Sequence, residues 1–205
     1  MMVHIIDFGF GNVIAYLNAY RRMGIEAVRV QSTEDLKTAE KIIFPGVGSF
    51  LTARSMIENK CFREALDDLV VRQGLPTLGV CIGMHLFANM SEEGFGAGLG
   101  WVKGSVKKLM SFDERRHLFL PHMGWNTIST KLDCGLMRGI DENARFFFLH
   151  SYHFECDNSS DVIAETSFGQ KFTSIIQRKN IYGVQFHPEK SSFWGATILK
   201  NFAEL

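Results

Sequence analysis

The chain has no excess charge of either sign: 22 Lys plus Arg balance 22 Asp plus Glu over 205 residues. A nucleic-acid binder shows a basic excess or a basic stripe, and neither is present. No apolar run approaches the length of a membrane span. The first residues lack the basic start, apolar stretch and cleavage site of an export signal. Cysteine is scarce: Cys61, Cys81, Cys134 and Cys156 stand far apart and form no CxxC pair. Together these read as reduced thiols in a cytoplasmic protein. Repeats, linkers and low-complexity segments are missing too, so one domain is expected over residues 1–205.

What is present is ordinary globular material, 46% apolar and 21% charged, which excludes disorder. The 18 Phe are scattered through apolar segments without interleaved Lys or Arg, so they read as core packing. Short apolar runs at 3–6, 27–30, 41–44 and 77–80 read as buried strands. Between them lie helical patterns. One is capped by Asn12, has Val13, Leu17 and Tyr20 on one face and ends at Gly24; others fill 49–73 and 82–89. This alternation predicts a parallel sheet with helices on both faces. From Gly94 onward the pattern changes to strands at 98–108, 118–129, 145–149, 162–165, 172–177 and 181–186, expected to be antiparallel additions. A final helix at 194–205 presents Trp194, Ile198, Leu199 and Phe202 to a core.

The stretch Leu78-Gly79-Val80-Cys81-Ile82-Gly83-Met84 carries the most chemistry. A buried strand turns sharply into a helix with a cysteine between two glycines, the cysteine form of a nucleophile elbow. The turn strains the nucleophile's backbone, and glycine two residues to either side removes side chains that would collide there. A thiolate at a helix N-terminus gains from the dipole and from free N–H groups that can meet a developing oxyanion.

A thiol that attacks an amide needs a base that also protonates the leaving amine. His187 stands at the end of the 181–186 strand, followed by Pro188 and Glu189. In extended backbone, residues two apart point the same way, so Glu189 is expected to reach the His187 imidazole. Pro188 fixes φ between them. A carboxylate on one ring nitrogen selects the tautomer whose other nitrogen faces the thiol.

With those residues in hand, the sequence resembles the class I (triad) glutamine amidotransferases from end to end. It is similar in particular to the branch that provides the glutaminase subunits of imidazole glycerol phosphate synthases. The match lies in Ile6-Asp7-Phe8-Gly9-Phe10-Gly11-Asn12, Pro45-Gly46-Val47-Gly48, Ser91-Glu92-Glu93-Gly94, Pro121-His122-Met123-Gly124-Trp125-Asn126, His150-Ser151-Tyr152 and Phe186-His187-Pro188-Glu189-Lys190-Ser191. The resemblance implies an α/β, flavodoxin-like three-layer sandwich with a mostly parallel central sheet and added antiparallel strands. It implies a Cys81–His187–Glu189 triad acting on L-glutamine without cofactor or metal. It assigns Val47, Gly48 and Ile82 to the oxyanion hole, and Gly46, Gly83, His85, His150, Ser151 and Tyr152 to the substrate. Family members dock on a (β/α)8-barrel cyclase and send ammonia through the barrel, and their glutaminase stays low until the cyclase binds its own ligand. Asn12, Met123, Trp125 and Lys190 match positions near that interface.

The chain departs from the family where Gln usually follows the cysteine by four residues: here stands His85. Phe8 and Phe10 replace the usual Tyr and Met. Three rival readings follow: a paralogue that supplies ammonia for surface-polysaccharide sugars, a binding or regulatory subunit with an impaired pocket, and a stand-alone cysteine hydrolase. The spacing of His150, His153 and Cys156 could hold a metal, but gaps of three alternate faces on a strand, so no metal is expected. Gly96, Gly98 and Gly100 read as a turn, because no strand precedes them as a dinucleotide loop would require. The pairs Asp67-Asp68 and Glu114-Arg115-Arg116 read as solvated surface.

Overall fold

The computed structural model describes residues 2–7, 9, 11–58, 60–110 and 119–205. Phe8, Phe10, the 114–116 charged group and Leu118 at the head of the expected 118–129 strand lie outside them.

The first half alternates as its hydrophobic pattern dictates: β1 (Met2–Ile6), α1 (Val13–Arg22), β2 (Glu26–Val30), β3 (Lys41–Phe44), α2 (Phe50–Ile57), α3 (Lys60–Leu66), β4 (Thr77–Val80) and α4 (Ile82–His85). The second half consists of strands with few helical turns. These are β5 (Met90–Ser91), β6 (Gly96–Ala97), β7 (Gly104–Lys108), β8 (His122–Thr127), β9 (Ser129–Thr130), β10 (Arg145–His150), β11 (Tyr152–Cys156), β12 (Val162–Phe168), β13 (Gln170–Arg178) and β14 (Ile181–Val184). Helix α5 (Ser192–Glu204) closes the chain.

Five strands pair in the order β2-β1-β3-β4-β14, all parallel. That is the flavodoxin-like order, with β14 returning from the far end of the sequence to take the fifth place. Right-handed crossovers leading to opposite sides of β1 put α1 and α2–α3 on opposite faces. Helix α5 joins α1, where the Tyr20 hydroxyl donates to the Leu199 carbonyl at 3.1 Å. Beyond β14 the sheet continues antiparallel through β13, β11 and β7, while β8 and β10 form a separate two-stranded ribbon. Parallel strands buried on both faces carry unbroken apolar runs, and β4 and β14 are buried at every residue.

Asn12 caps α1, its Oδ1 accepting from the Ala15 amide at 3.2 Å. The expected 49–73 helix is interrupted after Ile57 and ends in a π-wound turn over Asp67–Arg72, where the Gln73 amide donates to Asp68 five residues back. The expected 82–89 helix stops after one turn. The carbonyls of Leu86, Phe87 and Ala88 are taken by the amides of Leu99, Val102 and Gly100, so the 98–102 segment replaces the helix's next turn. For the same reason the strand expected over 98–108 begins only at Gly104. Gly98 lets that segment approach, since a Cβ there would meet the Leu86 carbonyl oxygen at 2.7 Å. The expected 118–129 strand divides into β8 and β9, and β11 was not anticipated at all. Asp67 is not simple surface either: its carboxylate accepts from Trp101 Nε1 and from Arg63 Nε, both at 2.7 Å.

Substituting Gly83 by Ala tests the closeness of the elbow. A Cβ at Gly83 would drive into the Phe44 carbonyl, although the glycine's own φ is unremarkable. We expect Gly83→Ala to cost about 2–3 kcal/mol by overpacking. Gly139→Ala, where φ is +75° and the space is open, should cost about 1 kcal/mol. Urea unfolding midpoints measure both; a Gly83 variant no less stable than the Gly139 one would refute the close-packing account.

Candidate active site

The site forms at the carboxyl ends of the parallel strands, where an open α/β sheet places its crevice. The register of the central pair matches Val80 with Val184, and the Cys81 amide donates to the Val184 carbonyl at 2.8 Å. The residues just past the two strand ends, Cys81 on one and Gln185 to His187 on the other, are thereby fixed side by side. Cys81 has φ +51° and ψ −112°, a conformation that a side-chain-bearing residue adopts only when its surroundings impose it. Those surroundings are glycine contacts. A Cβ on Gly79 would lie 2.6 Å from the Met84 amide, and one on Gly46 would lie 2.6 Å from the Val80 carbonyl.

His187 Nδ1 and Glu189 Oε1 are 2.9 Å apart, with both side chains buried. The route differs from the expected strand alternation: Pro188–Lys190 is a 3-10 turn, with the Lys190 amide donating to the His187 carbonyl. The turn is anchored to β10. The His187 amide donates to the Phe147 carbonyl at 2.8 Å, and Ser191 Oγ bridges the His187 carbonyl and the Phe147 amide. The second carboxylate oxygen of Glu189 accepts from the buried Tyr16 hydroxyl at 2.8 Å, a partner on α1 that motif reading missed. Its only trace in the sequence is a tyrosine on the apolar face of α1.

Electrostatics follow from these contacts. Burial alone would push His187 down, but hydrogen bonds and negative charge from Cys81 and Glu189 outweigh it and hold the imidazole at about 9. Burial likewise works against the Glu189 carboxylate, and His187 and Tyr16 overcome it, so its pKa falls. Two further contacts reach the thiol. Cys81 Sγ donates to the Leu149 carbonyl at 3.9 Å, and Gln185 Nε2 donates to the sulfur at 3.6 Å. Gln185 went unnoticed in sequence reasoning, although a glutamine in an otherwise apolar buried strand end was a signal.

A cavity of about 280 Å³ opens over the sulfur. Its wall includes Val47, Gly48, Ile82, His85, His150, Ser151 and Tyr152, together with Glu93, Pro121 and Leu149. Gly46 and Gly83 lie behind this wall, not on it; they pack backbone to backbone, and close approach explains the glycines. His85 is turned inward, its Nε2 2.8 Å from Gln185 Oε1. His150 belongs to a polarised chain. Its Nδ1 donates to the Tyr152 carbonyl at 2.8 Å, its Nε2 faces His122 Nδ1 at 3.0 Å, and Asn126 Nδ2 reaches His122 Nε2 at 3.3 Å. His153 pairs with Gln170 at 2.9 Å. The two histidines of the 150–153–156 spacing thus have other partners and sit on different strands, β10 and β11. Outward on β8, Met123 and Trp125 are exposed at 68% and 45%. Trp125 meets Phe147, and Lys190 lies over the same ring at 5.7 Å. Asn12 is exposed at the head of α1. No helix among the described residues is long and apolar enough to cross a membrane.

A left-handed cysteine between a buried parallel strand and a helical turn, beside a histidine held by a carboxylate, is the arrangement that acyl transfer through a thiol nucleophile requires. The chain belongs to the class I glutamine amidotransferases, whose family model (Glutamine amidotransferase class-I) matches residues 4–205. Imidazole glycerol phosphate synthase subunit HisH of Bdellovibrio bacteriovorus is 43% identical over 204 residues, covering 100% of both chains. The protein of the same name in Leptospira borgpetersenii is 42% identical, again over 100% of each. Imidazole glycerol phosphate synthase subunit HisH 2 of Pseudomonas aeruginosa is 39% identical over 100% of each. Among solved structures, a putative GMP synthase subunit from Thermoplasma acidophilum has the same fold (TM-score 0.73, 16% identity, 100% of this chain and 92% of that one). PurLQS from Thermotoga maritima superposes equally well (TM-score 0.73, 14% identity, 99% and 97% coverage).

The buried neutral histidines set an acid limit. Burial lowers His85 and His122 to about 4 each and holds His150 well below the usual histidine value. Each folded-state value lies below the unfolded one, so the unfolded chain binds more protons as pH falls. Their stabilisation is complete above about 6.5 and is lost as pH falls below it; for the fully buried His85 the loss runs down to about 4 and is on the order of 3 kcal/mol. His187 acts in the opposite sense: its contribution is complete below about 6.5 and fades as pH rises through about 9. Urea unfolding from pH 8 to 4 should register the acid loss, reduced in His85→Gln; a flat profile from 6.5 to 4 would count against these assignments.

Proposed function

We propose that the chain is the glutaminase subunit of an imidazole glycerol phosphate synthase. In this reading it hydrolyses L-glutamine to L-glutamate and ammonia and delivers the ammonia to a (β/α)8-barrel cyclase in histidine biosynthesis. One amidotransferase domain over residues 1–205 does this as a cytoplasmic protein. The observation that carries the reading is the strained Cys81 with the buried His187–Glu189 pair beside it under one small cavity. The relatives in Bdellovibrio and Leptospira, both named subunits of that synthase, support it over their full length.

The Cys81 thiolate attacks the side-chain carbonyl carbon of glutamine, forming the C–S bond and moving an electron pair onto oxygen. The amides of Val47 and Ile82 receive that oxyanion, Gly48 leaving the loop free to present its backbone; one such donor is worth about 3–4 kcal/mol. The His187 imidazolium gives its proton to the departing nitrogen, the C–N bond breaks and ammonia leaves a thioester. The now neutral His187 takes a proton from water as its oxygen attacks the thioester. Collapse breaks the C–S bond, releases glutamate with a proton to solvent, and restores the thiolate–imidazolium pair. Glu189, held by Tyr16, keeps the imidazole aligned throughout. His85, His150, Ser151 and Tyr152 form the walls that meet the substrate. Met123, Trp125, Lys190 and Asn12 form the proposed docking edge; the exposure of two large apolar side chains on β8 supports this.

Cys81→Ala is expected to lower glutamate release by three orders of magnitude or more while the protein still folds and binds its partner. Glutamate release from glutamine should be weak for the chain alone and rise strongly with a histidine-pathway cyclase and its ligand. Equal rates alone would favour a stand-alone hydrolase, and stimulation by a sugar-modifying partner only would move the recipient. The pH profile of kcat/KM should fall on the alkaline side near 9, where His187 loses the proton that ammonia needs. Glu189→Gln removes the negative charge that favours imidazolium, so this limb should move to lower pH. A limb that stays put would show that Glu189 does not act through His187.

A further inference from the structure

Cys81 Sγ has a neighbour that the triad does not use. Gln185 is fully buried just past the end of β14, opposite Cys81, and its backbone N–H donates to the Ser174 carbonyl at 2.9 Å. Its side chain lies between the sulfur and His85: Nε2 donates to Sγ at 3.6 Å, and Oε1 lies 2.8 Å from His85 Nε2. An amide oxygen only accepts, so His85 Nε2 carries the hydrogen. His85 is neutral, since burial lowers it to about 4, and its Nδ1 is therefore a bare lone pair without a partner among the described residues. The reversed amide would require the other tautomer and would leave a buried N–H orphaned, which proteins tolerate less well than an unfilled acceptor. The direction of the chain His85 to Gln185 to Cys81 is therefore set, and it ends with a donor on sulfur.

We propose that Gln185 is a further catalytic residue, donating a hydrogen bond to the Cys81 thiolate, and that His85 is the positioning residue that fixes the direction of that donation. This rests on Cys81 being the nucleophile. A donor on sulfur favours thiolate over thiol, and charge-assisted hydrogen bonds are stronger than neutral ones. His187 interacts with the same sulfur and, in the proposed reaction, carries the proton. The two groups divide the work: His187 moves the proton, while Gln185 stabilises the charge left behind.

The test is the pH dependence of Cys81 alkylation by iodoacetamide on the full chain, read by mass spectrometry at the peptide that contains Cys81. This separates it from Cys61, which is exposed. The charged and titratable groups near the sulfur are His187 and Glu189 after β14, Tyr16 on α1 and His85 on α4. Glu93, His150 and Tyr152 line the same cavity. All but the one substituted stay constant. The apparent midpoint belongs to the coupled Cys81–His187 pair. Gln185→Met should raise it by about one pH unit, the tenfold change that one charge-assisted bond supplies. Gln185→Glu keeps the shape but replaces the donor with a like charge, and should raise it at least as far. It also serves if the Met variant fails to fold. His85→Leu should raise the midpoint, and His85→Gln should restore it. Wild-type midpoints in both Gln185 variants would overturn the proposal, and a wild-type midpoint in His85→Leu would overturn the part given to His85. Failure of the Cys81 assignment would look different: Cys81→Ala would still hydrolyse glutamine.

Discussion

The contact on which the rest of this structure depends is backbone against backbone at the end of β4. Gly83 rests on the Phe44 carbonyl, Gly79 on the Met84 amide and Gly46 on the Val80 carbonyl. No side chain fits between these segments. That closeness bends the chain from strand into helix within one residue and leaves Cys81 in a left-handed conformation of the order of 1–3 kcal/mol above its relaxed state. The strain is sustained by the packed core around it, where Val80, Phe44 and Met84 are fully buried. Because β14 pairs with β4 in register, the same closure fixes where the His187 turn begins.

From that point the site is built outward by hydrogen bonds of defined direction. Tyr16 donates to Glu189, Glu189 holds His187, and His187 faces the sulfur. On the other side His85 donates to Gln185, and Gln185 donates to the sulfur. The two chains meet at one atom: Gln185 and His187 both leave the end of β14, while Tyr16 comes from α1 and His85 from α4. Both are almost wholly buried, so low local dielectric strengthens each link and makes a missing partner costly. The His187 and His85 pKa values diverge for this reason. One imidazole is flanked by negative charge and held at about 9; the other has only a neutral amide and falls to about 4.

Much of this was legible in the sequence, and the reason is locality. The parallel half was readable because its strands are unbroken apolar runs separated by caps and glycines, and the order β1 to β4 follows from those runs. The cysteine elbow was readable because its glycines stand at fixed offsets. The His187–Glu189 pairing was readable as a pair, but through the wrong geometry, because a 3-10 turn brings residues two apart together as effectively as a strand does. What failed was non-local. The 82–89 helix stops because the 98–102 segment captures its carbonyls, and no pattern within 82–89 announces that. Asp67 looked like surface because its partner Trp101 is distant in sequence. Tyr16 and Gln185 left only faint traces, a tyrosine on an apolar helix face and a glutamine at an apolar strand end, because each contacts a group contributed by another element.

The β8–β10 ribbon joins these arguments to the proposed partner. Its alternation turns Met123 and Trp125 outward, while His122 and Asn126 point inward to the chain that ends at His150 on the cavity wall. His122 is stacked between Phe148 and Phe168, at centroid distances of 4.8 and 4.0 Å, so it cannot turn without displacing aromatic neighbours. Leu149, next to His150, supplies the carbonyl that accepts from the thiol. A shift of the ribbon would therefore move the exposed edge, the buried histidine pair and the carbonyl that engages Cys81 together, since all three belong to two strands paired residue for residue. Physical continuity of this kind is a route, and coupling along it requires two states of the ribbon that a partner can choose between. The thiol's bond to Leu149 provides a concrete difference between such states: while it is made, the sulfur's hydrogen points to a carbonyl, and a ribbon shift that broke it would free the thiol to meet His187.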